Sequence, residues 1–502
     1  MESKSNNEIA TRIFPLIRDS YALLESKIKY LKYRSILNNN PDNWDDFSKN
    51  LFEEINVKMH KVQPGQEASD PILEIEYSLL LGLVDRKEEM VSILRKIEND
   101  SMLLMILPVQ EPIFMQKKLL LAECVAGIYP KGFDLAFQGL SALPARNDKT
   151  KEGYYDLTDV AVGYWHISDH IKSKKDDIIQ CIRRSGTNDD KKGLAGLVFR
   201  KICMPSETRC STLDDIRTAE KYFLPIFSGD NLEEIFSYAQ AAIAYSQLYE
   251  KSEPRDQGLL ESSQSYLRKL ESPAGSRERE IIGIIREMHL IRTYAQIGLD
   301  DRASKLASSF YENSVKSMLD FNDMMDTILN TVSEGRIPAK LKELKENGIR
   351  MAEQYSSVYA NCFILAGKYA VSEHIRSDIL NKAEKFLALE LPVMIKLQGL
   401  FDLSEAYAYI KDSIRAKNYI KTALQYSKKI PVKERKEILI DLLTRAASES
   451  YLYTHDETFI SLFTDALVEN GITGEQGEEA ATFFIDNLSF IALYRKLGIS
   501  YS

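Results

Sequence analysis

Six tyrosines recur along this chain at intervals that read as one repeating unit. Tyr164, Tyr245, Tyr294, Tyr369, Tyr407 and Tyr451 are separated by 81, 49, 75, 38 and 44 residues, and the 287-residue span divides into seven steps of 41. Two copies would then be too degenerate to show. Five of the six carry a small residue three positions earlier, namely Ala161, Ala242, Ala366, Ser404 and Ser448, with Ile291 as the exception. Residues one helical turn apart share a face. The small one lets a second backbone approach, and the tyrosine fills the space beside it. Such a pattern belongs to a stack of helix pairs in which each unit contacts its neighbours.

Length agrees with that reading. At 502 residues the chain exceeds the roughly 250 to 300 residues beyond which one core stops growing, so it needs several domains or a one-dimensional array. Nearly every segment shows apolar residues at helical spacing, and no run alternates like a strand between hairpin turns. The expected fold is all-α, an α-α superhelix built as a solenoid of antiparallel helix pairs in units of about 40 residues.

The clearest unit runs from Gln398 to Pro431. Its first helix aligns Leu400, Leu403, Tyr407 and Ile410, Lys411-Asp412 turns the chain, and Ala416, Ile420, Ala423 and Leu424 face back. The order Leu400, Leu403, Ser404, Tyr407, Ala416, Ile420, Ala423, Pro431 resembles the tetratricopeptide repeat, with the proline about three residues late. Leu290, Tyr294 and Ala303 keep the same register. After Tyr245 the loop lengthens through Glu253-Pro254-Arg255, and after Tyr369 the second helix is expected near Ser377, with Ala383 late. Units of about 40 residues exceed that family's usual length, so HEAT-like pairs stay open.

Prolines at 144, 273, 392 and 431 sit between expected helices, where a residue that cannot continue a helix closes a pair. Asp230 with Glu233 marks a helix entry. Polar and glycine-rich breaks at 146–153, 186–193 and 204–211 set the expected organisation. Residues 1–150 form an irregular helical region, 151–211 a connector or first repeat, 212–482 the array, and 483–502 a capping helix. The segment from Met324 to Tyr355 has helical pattern without the small-x-x-Tyr mark.

Charge excludes one partner class. The 74 acids and 65 bases are interspersed and sum to −9, leaving no basic stripe for a nucleic-acid backbone. Lys27, Lys29, Lys32 and Arg34, the densest basic stretch, are expected on a solvated helix face. The five cysteines, Cys124, Cys181, Cys203, Cys210 and Cys362, are irregularly spaced, as reduced thiols are. The opening MESKSNNEIATRIFPLI lacks the apolar core of a secretory signal. No apolar run approaches the ~20 residues of a membrane span. A soluble cytoplasmic protein is expected, with export that reads no cleaved signal left open.

Chemical motifs are few. His166 and His170 share a helix face with Asp169 between them, a spacing that can ligate metal, but the glutamate of HExxH is missing. Cys203 and Cys210 have no partner pair at finger spacing, and GxxxxGK[ST], GxGxxG and GxSxG are absent. Asp176-Asp177, Asp189-Asp190 and Asp214-Asp215 suit helix starts. No enzyme, metal or cofactor is expected, and the six tyrosines are assigned to packing.

The tetratricopeptide resemblance implies that first helices line a concave groove. It places Met288 and Arg292 there beside Tyr294, Gln398, Phe401 and Glu405 beside Tyr407, and Arg445 and Glu449 beside Tyr451. The paired Lys and Asn with which some relatives clamp a C-terminal carboxylate are missing at these positions. The expected function is a non-enzymatic scaffold that binds a protein or peptide in this groove. The alternatives are a peptide-sensing regulator or delivered effector on the same array, and an enzyme using His166, Asp169 or His170.

Overall fold

The computed structural model describes residues 24–38, 44–61, 71–99, 112–128, 188–203, 212–228, 231–272, 280–333 and 339–497. Among them every regular element is an α-helix: α1 (Leu24–Asn38), α2 (Asp46–Lys61), α3 (Pro71–Leu83), α4 (Lys87–Asn99), α5 (Pro112–Ala126), α6 (Asn188–Cys203), α7 (Leu213–Phe227), α8 (Asn231–Lys251), α9 (Gln257–Glu271), α10 (Glu280–Gln296), α11 (Asp300–Ser333), α12 (Ala339–Tyr369), α13 (Glu373–Ala388), α14 (Val393–Tyr409), α15 (Ser413–Ser427), α16 (Val432–Thr454), α17 (Thr458–Glu469) and α18 (Glu475–Lys496). None of these is long and apolar enough to cross a membrane. Tyr164, the His166, Asp169 and His170 constellation, Cys181, Cys210, Pro144, Pro273 and Asp230 lie outside the described residues. The break expected at 186–193 is already helical from Asn188.

Packing divides the chain into two compact units, one formed by residues 1–237 with 471–502 and the other by 238–470. The expected boundaries near 150 and 212 fall inside the first. In that unit α1 packs on α2, α3 and α18, while α3 packs on α4 and α5. Of the helix expected as a cap at 483–502, residues 483–496 belong to α18, which lies against α1, α3 and α5.

Four buried charges tie these helices together. Lys32 on α1 donates to Glu76 Oε2 on α3 at 2.5 Å and to Asp486 Oδ1 on α18 at 3.1 Å. Lys118 on α5 donates to Glu76 Oε1 and, at 2.9 Å, to Asp486 Oδ2. Two cations and two anions alternate around a closed ring, with no side chain more than 4% exposed. Burial works against the ionised Asp486, but Lys32 and Lys118 outweigh it and bring its carboxyl down to about 2. The stretch expected on a solvated face is therefore sequestered, with Lys32 at 0% and Arg34 at 4% exposure. The reason is that α1 is surrounded, and each cation finds an acid: Arg34 meets Asp45, Lys27 meets Glu54 and Lys29 meets Glu25. At the far end of α18, Lys496 donates to the last carbonyls of α3, at Gly82 and Leu83, filling acceptors that a helix end leaves open.

In the second unit each described member of the tyrosine series lies on the first helix of a pair: α8 with α9, α10 with α11, α12 with α13, α14 with α15, and α16 with α17. First helices α10, α12, α14 and α16 pack in succession, and second helices α11 and α13 pack behind them. This is the two-layer order of a helix-pair solenoid. Ala242, Ala366, Ser404 and Ser448 are all fully buried, and Tyr245, Tyr294, Tyr407 and Tyr451 are buried beside them. Pro392 and Pro431 stand at the N-caps of α14 and α16, so they open the next pair.

The repeat is visible in atomic detail at an offset of 113 residues. The Tyr294 hydroxyl donates to Glu271, which Arg302 also binds while lying over the ring. The Tyr407 hydroxyl donates to Glu384 in the same way, and Arg415 lies over that ring. Four residues after Tyr294, Tyr407 and Tyr451 the chain turns left-handed, at Gly298 (φ 74°), Lys411 (φ 68°) and His455 (φ 54°). Such a residue ends a helix by returning its amide to the last turn.

Replacing Lys32 by Met leaves Glu76 and Asp486 sharing one cation in a dry interior. We expect a loss of about 3–5 kcal/mol, read as a lower midpoint in urea unfolding followed by circular dichroism. A change below ~1 kcal/mol would mean the ring is hydrated.

Candidate recognition surface

The first helices of the second unit carry a polar cluster where their neighbours meet. The rings of Tyr369 on α12, Tyr409 on α14 and Tyr453 on α16 form a ladder, with centroids 5.3 and 5.2 Å apart and near-perpendicular planes. Edge-to-face contact is a favoured aromatic geometry. Lys368 is buried beneath the ladder, its ammonium 5.5, 5.5 and 5.4 Å from the three centroids. The same ammonium lies 4.0 Å from Glu449.

Ion pairs lock α14 to α16. Arg445 donates to Glu405 at 3.0 Å and to Asp402, which also accepts from Gln398 at 2.8 Å. Lys411 at the end of α14 donates to the carbonyl of Tyr453, and Lys417 pairs with Asp456 at 2.9 Å. These links fix the two helix ends, and with them the spacing of Tyr409 and Tyr453.

Five charged groups meet here, three acids and two bases. One negative charge is in excess, which favours the protonated form of the buried acids. Burial, together with Glu405, pushes the Glu449 carboxyl up to about 8 against the pull of Lys368 and Arg445. Burial and Glu405 likewise raise Asp402 to about 6, opposed by Arg445. Lys368 stays charged: burial disfavours the ammonium, but Tyr369, Tyr453, Glu449 and Glu405 hold it above the usual lysine range.

Of the seven residues expected in the groove, Gln398, Glu405, Arg445 and Glu449 come together in this cluster. Arg292 lies at the other end of the ladder, its guanidinium 5.3 Å from the Tyr369 ring. Met288 is half-buried one turn before it on α10. Phe401 is corrected: it is 0% exposed, because α14 is flanked by α12 and α16 and backed by α15, leaving that face no solvent. Tyr369 is corrected too, since it belongs to the half-exposed ladder and not to the packing stripe. The position of Tyr407 and Tyr451 is taken in α12 by Gly367, where an added Cβ would stand 2.7 Å from Leu380. Lys368, Asp402, Tyr409 and Tyr453 had not been expected. The paired Tyr407-x-Tyr409 and Tyr451-x-Tyr453 carried the signal for the ladder.

Reactive chemistry has little support in these residues. Cys124, Cys203 and Cys362 are free and buried, with thiols pushed well up by burial, the opposite of what a nucleophile requires. Among the described residues no group of three or more His, Cys, Asp and Glu could hold a metal ion. No protein-family model matches the chain, and the comparison with curated proteins gives no match.

The displaced Glu449 makes stability depend on pH. Its folded value lies above the ordinary 4.5, so the folded state binds more protons between 4.5 and about 8, and stability falls as pH rises through that window. We expect Glu449→Gln to flatten this fall and to exceed wild type at pH 9 by on the order of 2 kcal/mol, each unit of displacement being worth about 1.36 kcal/mol. Parallel wild-type and variant pH profiles of unfolding free energy would contradict the assignment.

Proposed function

We propose that the first-helix face of the second unit is a recognition surface for a segment of another protein, and that the chain acts as a non-enzymatic scaffold on a tetratricopeptide-like array. The observation that carries this reading is the tyrosine ladder, half-exposed and held from below by Lys368 and the α14–α16 ion pairs. Aromatic rings with polar tips supply large contact area at small conformational cost. Here their positions are set before a partner arrives, which reduces the ordering cost of association. A repeat array in addition offers an extended face to a segment. The free thiols agree with a cytoplasmic setting.

The test is selection of random dodecapeptides on the immobilised full-length chain, followed by titration of the selected peptides by fluorescence anisotropy. We expect the double variant Tyr409→Ala/Tyr453→Ala to weaken binding by at least about tenfold, equivalent to 1.4 kcal/mol. A control variant at exposed α15 positions, Lys421→Glu/Gln425→Ala, should bind like wild type. Equal binding by the ladder variant and the control, with both equally helical, would remove the surface from consideration.

A further inference from the structure

The cations of this face are not equally committed. Lys368 and Arg445 are matched by Glu449, Glu405 and Asp402. Arg292 stands in the same register as two of those acids, two residues before its tyrosine as Glu405 precedes Tyr407 and Glu449 precedes Tyr451. In α12 the corresponding residue is Leu365, so the helix beside α10 brings no acid to this level. The guanidinium lies over Tyr369, and its Nε is buried with no hydrogen-bond partner among the described residues. Burial lowers its affinity for a proton, and Tyr369 opposes that effect.

A second orphan accompanies it. Gln296, one turn further along α10 and on the same face, has a buried Oε1 that accepts no hydrogen bond from the described residues. Its register is that of Tyr409 and Tyr453, two residues after the pair tyrosine. An unsatisfied buried polar group costs roughly 1–3 kcal/mol, and here a charged donor and an amide acceptor sit side by side at the start of an aromatic ladder. Nothing in the packing of α10 on α12 uses either atom. A ligand that supplies one acceptor with negative charge and one donor would satisfy both.

We propose that Arg292 anchors the side-chain carboxylate of an aspartate or glutamate in the partner segment, that Gln296 accepts a backbone N–H of the same segment, and that the residues next to that acid lie along Tyr369, Tyr409 and Tyr453. This rests on the reading of the first-helix face as a recognition surface and specifies its occupant. One uncommitted guanidinium matches a monoanion better than a phosphoryl dianion, for which Lys368 and Arg445 have no charge to spare. Guanidinium and carboxylate form charge-assisted, geometrically matched hydrogen bonds, and an anion brought there relieves the desolvated cation.

The experiment uses the full-length chain and N-acetylated, C-amidated peptides from the dodecapeptide selection, each paired with a version in which the acid is replaced by its amide. Anisotropy titrations are run on wild type, Arg292→Gln, Arg292→Lys and Tyr409→Ala/Tyr453→Ala, with circular dichroism melts to confirm folding. Against wild type we expect the amide peptide to bind about tenfold more weakly than the acid peptide, and affinity for the acid peptide to fall with added salt. Against Arg292→Gln the two peptides should bind alike, and Arg292→Lys should retain part of the difference. The peptide substitution leaves the protein untouched, so a poorly folded variant cannot imitate this result. An acid preference of the same size in Arg292→Gln as in wild type would overturn the proposal. If binding is lost in the ladder variant but indifferent to Arg292, the anchor fails and the recognition surface stands. If neither variant matters, both fail. A requirement for a free C-terminal carboxylate, tested with non-amidated peptides, would overturn the assignment to a side chain.

Discussion

A helix with neighbours on both sides and a partner behind it has almost no circumference left for water, and every charge it carries must then be paired where it lies. The cost of leaving one unpaired is several kcal/mol, large against the 5–15 kcal/mol that holds a typical fold. Both units of this chain show that constraint at work. In the first, α1 is enclosed by α2, α3 and α18, and Lys32 survives there because Glu76 and Asp486 meet it. In the second, Lys368 on α12 is also buried and is held by three ring faces beside the Glu449 carboxyl group. The difference lies in the balance of charge. The first ring is neutral. The second cluster carries one acid too many, and burial together with Glu405 raises the Glu449 carboxyl above the usual glutamate range.

That imbalance connects stability to the recognition surface. The ladder rings and the ion pairs share helices α12, α14 and α16, so whatever loosens the cluster also loosens the spacing of Tyr369, Tyr409 and Tyr453. Lys368 serves as the common support, since its ammonium faces all three rings at similar distance. A cation over aromatic faces in a desolvated site contributes about 2 kcal/mol, comparable to one of the ion pairs beside it.

Much of this architecture was legible in the tyrosine spacing. Tyr294, Tyr407 and Tyr451 do share one local structure, down to a left-handed residue four positions on, because the turn after the tyrosine is fixed by backbone geometry and short-range hydrogen bonds. Those are properties of neighbouring residues, and a sequence displays them. Tyr369 shows the limit of counting. It has the same small residue three positions earlier, yet Gly367 occupies the packing position because Leu380 of α13 crowds it, and that contact is set by another helix. Phe401 and Lys32 failed for the same reason. Whether a position on a helix meets water depends on how many helices surround it, and spacing along one helix does not record that. The groove positions fared better as a set. Gln398, Glu405, Arg445 and Glu449 do converge, but as partners of one another, so most of the charge taken as available to a ligand is already used.

What remains available is therefore concentrated at one end. Moving along the first helices from α16 to α10, the register that holds Glu449 and Glu405 passes through Leu365 to Arg292, from acids matched by cations to a cation with no acid partner among the described residues. The register of the ladder passes from Tyr453, Tyr409 and Tyr369 to Gln296, whose acceptor is also unused. A repeated structure makes such a change informative, because the neighbouring copies show what the same position looks like when its needs are met internally. In α14 and α16 those positions serve the fold. In α10 they hold a donor and an acceptor that the fold leaves unfilled, at the point where an aromatic surface begins.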